Sequence, residues 1–370
     1  MSDRAFIATR KGLFTLSRTP TGWKIVNTAF LGDNLTIVLP DRRDDHVYVA
    51  ASHGHFGAKV HRSDNGGVTF EEIATPAYPP LREGEQPVLD PFRKVPVPQS
   101  LQMIWALEAG GSDEHGLLWC GTVPGGLFRS TDRGTSWEFV RSLWDNPARK
   151  QWFGGGLDWP GIHSVCVDPR NSKHVTVGVS CGGVWFTPDA GHTWECRATG
   201  MRAEYTPPEQ AHEPAIQDPH RVTRCHAQPD KLWAQHHNGI FRTTDNAKSW
   251  TEIKNATPSA FGFAVAVHPK HGDTAWFIPA IKDERRIPVD GRLVVTRTTD
   301  GGKTFDVLRQ GLPQENAYDI IYRHALDIDD SGDKLIFGST TGSLWLSEDQ
   351  GDSWQTISTH LPPINCIHFA

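Results

Sequence analysis

An eight-residue pattern, Ser/Thr-x-Asp-x-Gly-x-Ser/Thr-Trp/Phe, recurs along this chain and constrains its fold more than any other feature. Ser130 to Trp137 reads STDRGTSW, Thr187 to Trp194 TPDAGHTW, Thr298 to Phe305 TTDGGKTF and Ser347 to Trp354 SEDQGDSW. Thr243 to Trp250 (TTDNAKSW) has Ala247 in the Gly place, and Ser63 to Phe70 (SDNGGVTF) has Asn65 in the Asp place. Each part has a local task. The carboxylate accepts backbone N–H groups of its own tight turn. The glycine takes a conformation that a side chain resists, and the final aromatic plugs an apolar gap. Such an octet closes a hairpin. Its repetition in one phase marks a repeat architecture.

The segments between octets read as strands. Ile162 to Val167, His174 to Val179, Val184 to Thr187 and Trp194 to Arg197 form one four-strand unit (strands a to d), with a turn at Asp168 to Asn171 and the octet between c and d. Phe263 to Val267 and Thr274 to Ile278 repeat its first half. Alternation and β-branched residues support each strand. Lys11-Gly12-Leu13-Phe14, running to Trp23, is a further unit whose turn has lost its Asp, which makes seven. The chain starts on a strand b, Ala5 to Thr9, and finishes on a strand a, Ile364 to His368. Pairing these two completes one unit and removes open sheet edges.

The octets resemble the Asp-box, or BNR, repeat of β-propellers such as sialidases, xyloglucan-type glycoside hydrolases, sortilin-like receptors and photosystem assembly factors. The resemblance covers essentially the whole chain. It implies an all-β fold, a single seven-bladed β-propeller of four-stranded blades over residues 1–370. It also implies a glycosyl hydrolase-like, carbohydrate-binding function, since composition and spacing alone do not name a sugar. Sialidases place an Arg-Ile-Pro motif before the first octet and have six blades. Here Arg286-Ile287-Pro288 falls in the sixth repeat, so sialidase activity is not expected.

The chain has 370 residues, a net charge of -6, 14 Trp, 35 Gly and 26 Pro. Abundant Trp fits one or two plugs per repeat. Mild acidity speaks against a nucleic-acid partner, and no apolar run suits a membrane span. The start, Met1-Ser2-Asp3-Arg4, has no secretory pattern, and the six cysteines include no CxxC pair. A cytoplasmic location with reduced thiols is expected.

Strand parity predicts the functional face. In an up-down blade the a–b and c–d turns share one face, and the b–c turns and d–a links share the other. The long insertions, 74–103, 142–161, 199–221 and 280–291, are three d–a links and one b–c loop. All therefore fall opposite the octets, on the face where loops carry binding.

The 142–161 link brings Trp152, Asp158 and Trp159 around a Gly154-Gly155-Gly156 bend, which suits sugar stacking and acid–base work. The 199–221 link brings Arg202, Glu204 and Tyr205, with Arg224 on the next strand; arginines and carboxylates hold anionic or polyhydroxylated ligands. Asp158 and Glu204 are the expected catalytic pair, with His163 tuning one of them and Tyr205, Arg224 and His324 positioning the substrate. Arg202, Arg323, His236 and His237 join the binding set. No histidine spacing matches a metal motif, so no metal or cofactor is expected. The expected partner is a glycan or similar small molecule. A non-catalytic interaction or assembly module is the other reading, and a metal-dependent lyase or lactonase a third.

Overall fold

The computed structural model describes residues 2–370. Seven antiparallel four-stranded sheets form a ring in which each innermost strand packs against those of the two neighbouring blades. The protein is a seven-bladed β-propeller. In the first blade both chain ends meet: Ile364–Phe369 is innermost, followed outward by Arg4–Thr9, Gly12–Thr19 and Gly22–Ala29. Ile7 stands opposite Ile367 in that closing antiparallel pair. The other innermost strands are, in chain order, Asn34–Pro40, Met103–Ala109, Gly161–Asp168, Pro219–Arg224, Gly262–Val267 and Leu326–Ile328.

Burial explains the strand sequences. Gly262–Val267 and Leu118–Val123 are buried at every position because blades press on both sheet faces, so they read as continuous apolar runs. Outer strands such as Gln355–Ser358 have one wet face and are partly exposed. Trp119, Trp185, Trp233 and Trp276 are fully buried between blades, each removing a large apolar area from water. All six cysteines are unpaired. No helix among the described residues is long and apolar enough to cross a membrane.

The octets are local hydrogen-bond knots. Asp189 Oδ1 accepts the N–H of Thr193 at 2.8 Å and the hydroxyl of Thr187 at 2.8 Å, and Oδ2 accepts the Thr193 hydroxyl. The Thr187 oxygen in turn accepts the buried N–H of Gly191, whose φ of 91° lies in the left-handed region. Ala247 takes the same role at φ 63° and makes the same bond to Thr243, lengthened to 3.2 Å.

The insertions carry short structure of their own. Tyr78, in 74–103, bonds Thr122 and accepts the Gly126 N–H, pinning that segment to the third blade. The 142–161 segment follows the one-turn helix Arg141–Trp144 into a 3-10 turn, Pro147–Gln151. Arg149 of that turn is buried under the Trp144 ring and donates to the Pro124 carbonyl.

Candidate functional site

The innermost strands share a register break. Pairing with the second strand skips Asn365, Thr36, Trp105, His163 and His220, and in the sixth blade Phe263 with Ala264. A bulge swings its extra residue out of the normal alternation. In all but the fourth blade a residue at this break reaches the central cavity, and His324 holds the matching place ahead of the seventh. All of these residues except His163 and Ala264 line a cavity of about 620 Å³. All four insertions add to its wall, through Phe92 and Met103, Phe153 to Leu157, Tyr205 and Asp218, and Asp283 and Arg286.

Asp218 is the best-held polar group there. It lies near the end of the 199–221 segment, just before the strand Pro219–Arg224, and is 4% exposed. Its Oδ1 accepts the Ser180 hydroxyl and the Cys181 N–H, both at 3.1 Å. Its own N–H donates to His236 Nε2, and its carbonyl accepts the His237 N–H. Oδ2 is turned to two imidazoles, His220 Nε2 at 3.5 Å and His237 Nδ1 at 3.6 Å. Burial pushes the Asp218 carboxyl up, but those imidazoles and the Arg323 charge more than reverse it and hold it well below the usual range. The Cys181 thiol is pushed well up by burial and by Asp218, which leaves it a poor nucleophile.

Arg323 is the second feature. It is 9% exposed, its guanidinium lies 4.6 Å from the Trp105 ring centre and 5.4 Å from that of Phe263, and burial lowers it to about 10. Among the described residues it has no ion pair, and its Nε has no hydrogen-bond partner. A buried cation left this way is costly. Below it, His324 Nε2 donates to the His163 carbonyl across the channel at 2.7 Å. Burial holds both imidazoles well below their ordinary range, and so neutral. At the rim Arg286 is already paired with Asp283.

No family model matches the chain. A probable oligoxyloglucan-reducing end-specific xyloglucanase of Neosartorya fischeri is 27% identical over 222 residues, 52% of this chain. The oligoxyloglucan-reducing end-specific xyloglucanase of Emericella nidulans is 24% identical over 258 residues, 65% of this chain. Each match covers 25% of the relative, so the chain spans about a quarter of the length of these curated proteins. Among solved structures, the GH74 xyloglucanase of Xanthomonas campestris superposes with a TM-score of 0.65 at 18% identity, covering 100% of this chain and 52% of that one. These are similarities to glycosyl hydrolase propellers, and the structural one concerns the fold alone.

Of the residues singled out from sequence, Tyr205, His237, Arg323 and His324 line the cavity. His163 and His236 are buried directly behind it, the first holding His324 and the second bracing Asp218. The others are placed elsewhere. Asp158 is exposed beyond the glycine bend, and Glu204 is exposed and paired with Arg202, which is also held by Glu252. Neither carboxylate lines the cavity, because Gly154 to Leu157 and Tyr205 take the inward positions of their links. Trp152 packs on Trp185 in the core, and Trp159 lies under the Arg93 guanidinium. Arg224 points to the octet end of its strand, donating to the Pro229 carbonyl and to Asn246. Arg286 and Arg323 thus share the cavity without Arg224. Trp105 and Phe263 were not singled out, and Asp218 and His220, charged and polar residues of the 199–221 link, were not placed in the binding set. The signal for all but Asp218 was the common bulge position at each strand start.

Proposed function

We propose that this chain is a glycosyl hydrolase-like propeller whose insertion-face cavity binds a short carbohydrate or a polyhydroxylated molecule of similar size. The observation that carries the reading is Arg323: a buried guanidinium between two aromatic rings with no partner of its own, aimed into a cavity of about 620 Å³. Aromatic faces stack on the apolar faces of sugar rings, and buried charged donors fix hydroxyl or carboxylate oxygens. The similarity to xyloglucanases supports a glycan over other small molecules.

Cleavage by two carboxyl groups needs them roughly 5 to 9.5 Å apart across the scissile bond. The cavity offers Asp218 and Asp283 rather than Asp158 and Glu204. Asp218 is held by Ser180 and Cys181 and Asp283 is paired with Arg286, which favours binding over two-carboxylate hydrolysis. A non-catalytic interaction module has one observation in its favour: Leu81, Leu89, Phe92, Val95 and Leu157 of the insertions are all exposed, an apolar surface fit for a protein partner.

The test is calorimetric titration with neutral and acidic oligosaccharides, including xyloglucan fragments, on the wild type and on Trp105→Ala. Saturable binding by the wild type, weakened about tenfold or more in the variant, supports a carbohydrate site. No binding across the panel overturns it.

A further inference from the structure

We propose that Asp218, His220 and His237 form a binding site for a first-row divalent transition metal such as Zn²⁺, open to the cavity. The three ligand atoms, Asp218 Oδ2, His220 Nε2 and His237 Nδ1, lie within 4.8 Å of one another.

The first argument is distance. A charge-assisted hydrogen bond between imidazole and carboxylate closes to about 2.7–2.9 Å. Here the two gaps are 3.5 and 3.6 Å. Zinc bonds to nitrogen and oxygen are about 2.0–2.2 Å long, and the edge of a tetrahedron with such bonds is about 3.4 Å. The side chains stand too far apart to bond each other and at the spacing that shares one ion.

The second argument is tautomer. His220 Nδ1 lies 2.7 Å from the Gly262 carbonyl, which only accepts, so Nδ1 carries hydrogen. In the neutral ring Nε2 then presents a lone pair to the Asp218 oxygen. With the ring neutral, two electron-rich atoms face each other with no proton between them, an arrangement that a proton on Nε2 or a metal cation relieves. A histidine whose other nitrogen donates to a backbone carbonyl is also the usual outer arrangement of a metal-bound imidazole.

The third argument is pre-organisation. Asp218 Oδ1 is tied by Ser180 and Cys181, so Oδ2 cannot turn away. The His220 ring is stacked on Phe263 at 4.4 Å, and the His237 ring packs edge-on against Tyr205 and Phe261. Two nitrogens and one carboxylate oxygen suit Zn²⁺ and its first-row neighbours and leave positions open on the cavity side. The charges around the site are Arg323 and the Asp283–Arg286 pair. With the ion present they leave a positive surplus, which draws an anionic oxygen, hydroxide or a ligand carboxylate, into an open position.

The experiment uses untagged protein, stripped with a chelator and titrated with Zn²⁺ and with Co²⁺ as a spectroscopic stand-in, without glycan, so its outcome is independent of carbohydrate binding. The wild type is expected to take one equivalent, with the visible absorption of Co²⁺ bound to nitrogen and oxygen at low coordination number. His237→Gln and Asp218→Asn are expected to weaken uptake at least about 100-fold, the upper end of what changes behind the ligands cost. His237 sits on a half-buried turn, so its variant keeps the fold if Asp218→Asn does not. A wild type that takes no ion overturns the proposal. So does uptake unchanged in His237→Gln, which would place the ion elsewhere.

Discussion

The guanidinium of Arg323 lies 4.6 Å from the ring centre of Trp105, although one residue leads into the seventh blade and the other sits in the third. The contact crosses the channel and sets an unpaired charge at the heart of the cavity. If that charge serves a ligand at the expense of the fold, it has a signature. Arg323→Met is expected to raise stability by about 1–3 kcal/mol, because it removes a buried unpaired cation, and to abolish glycan binding. Thermal melts and titration on the same preparation check this. A destabilised Arg323→Met would mean that the guanidinium is satisfied within the fold.

Closure by the two chain ends makes a second prediction. Deleting residues 363–370 removes the innermost strand of the first blade and leaves Arg4–Thr9 with a bare edge. Exposed edges pair with other chains. The truncated protein should aggregate or lose its cooperative melt in calorimetry. An unchanged transition would contradict closure.

The octets should be structural and nothing else. Asp189→Ala removes acceptors of the Thr193 N–H and of two hydroxyls, in a partly exposed turn. The expected loss is about 1–2 kcal/mol, with glycan affinity unchanged. Chemical denaturation gives the first quantity and calorimetry the second. Normal stability with lost binding would move the functional face to the octets.

Acid should unfold the protein through these same groups. Hydrogen bonds from Thr304 hold the Asp300 carboxyl at about 2. In Asp132, Asp189, Asp245 and Asp349 burial pushes upward, but octet hydrogen bonds prevail and lower each one. A carboxyl with a depressed folded pKa stabilises the fold above its unfolded value, about 3.9. That contribution is lost as pH falls toward the folded value. The melting temperature should change little from neutral pH to about 5 and drop steeply between about 4 and 2. Asp300→Asn should flatten part of that drop. A melting temperature that holds between pH 4 and 2 would show that the octet carboxylates do not contribute.

The fold was legible because its signals are local and repeated. Each octet contains its own turn chemistry, and the missing strands at Ala5 and Ile364 follow from counting. The four insertions that parity groups together each contribute residues to the cavity. Which side chain in each segment turns inward was not legible. Asp158 and Glu204 lie on irregular links, where no period fixes direction, and the inward places fell to glycines and Tyr205. Arg224 lies on a strand, but at the end opposite the cavity. The bulges hid the remainder: a one-residue slip reverses which side chains face the channel. Aligning the strand starts would have shown Thr36, Trp105, His163, His220, Phe263, His324 and Asn365 in one column.

Diffraction from crystals grown with a saturating oligosaccharide tests the central claim most directly. The account predicts sugar density inside the insertion-face cavity, with a ring against Trp105 or Phe153 and an oxygen within hydrogen-bonding distance of Arg323. Density on the octet face, or a cavity left without sugar while calorimetry reports saturation, would contradict it.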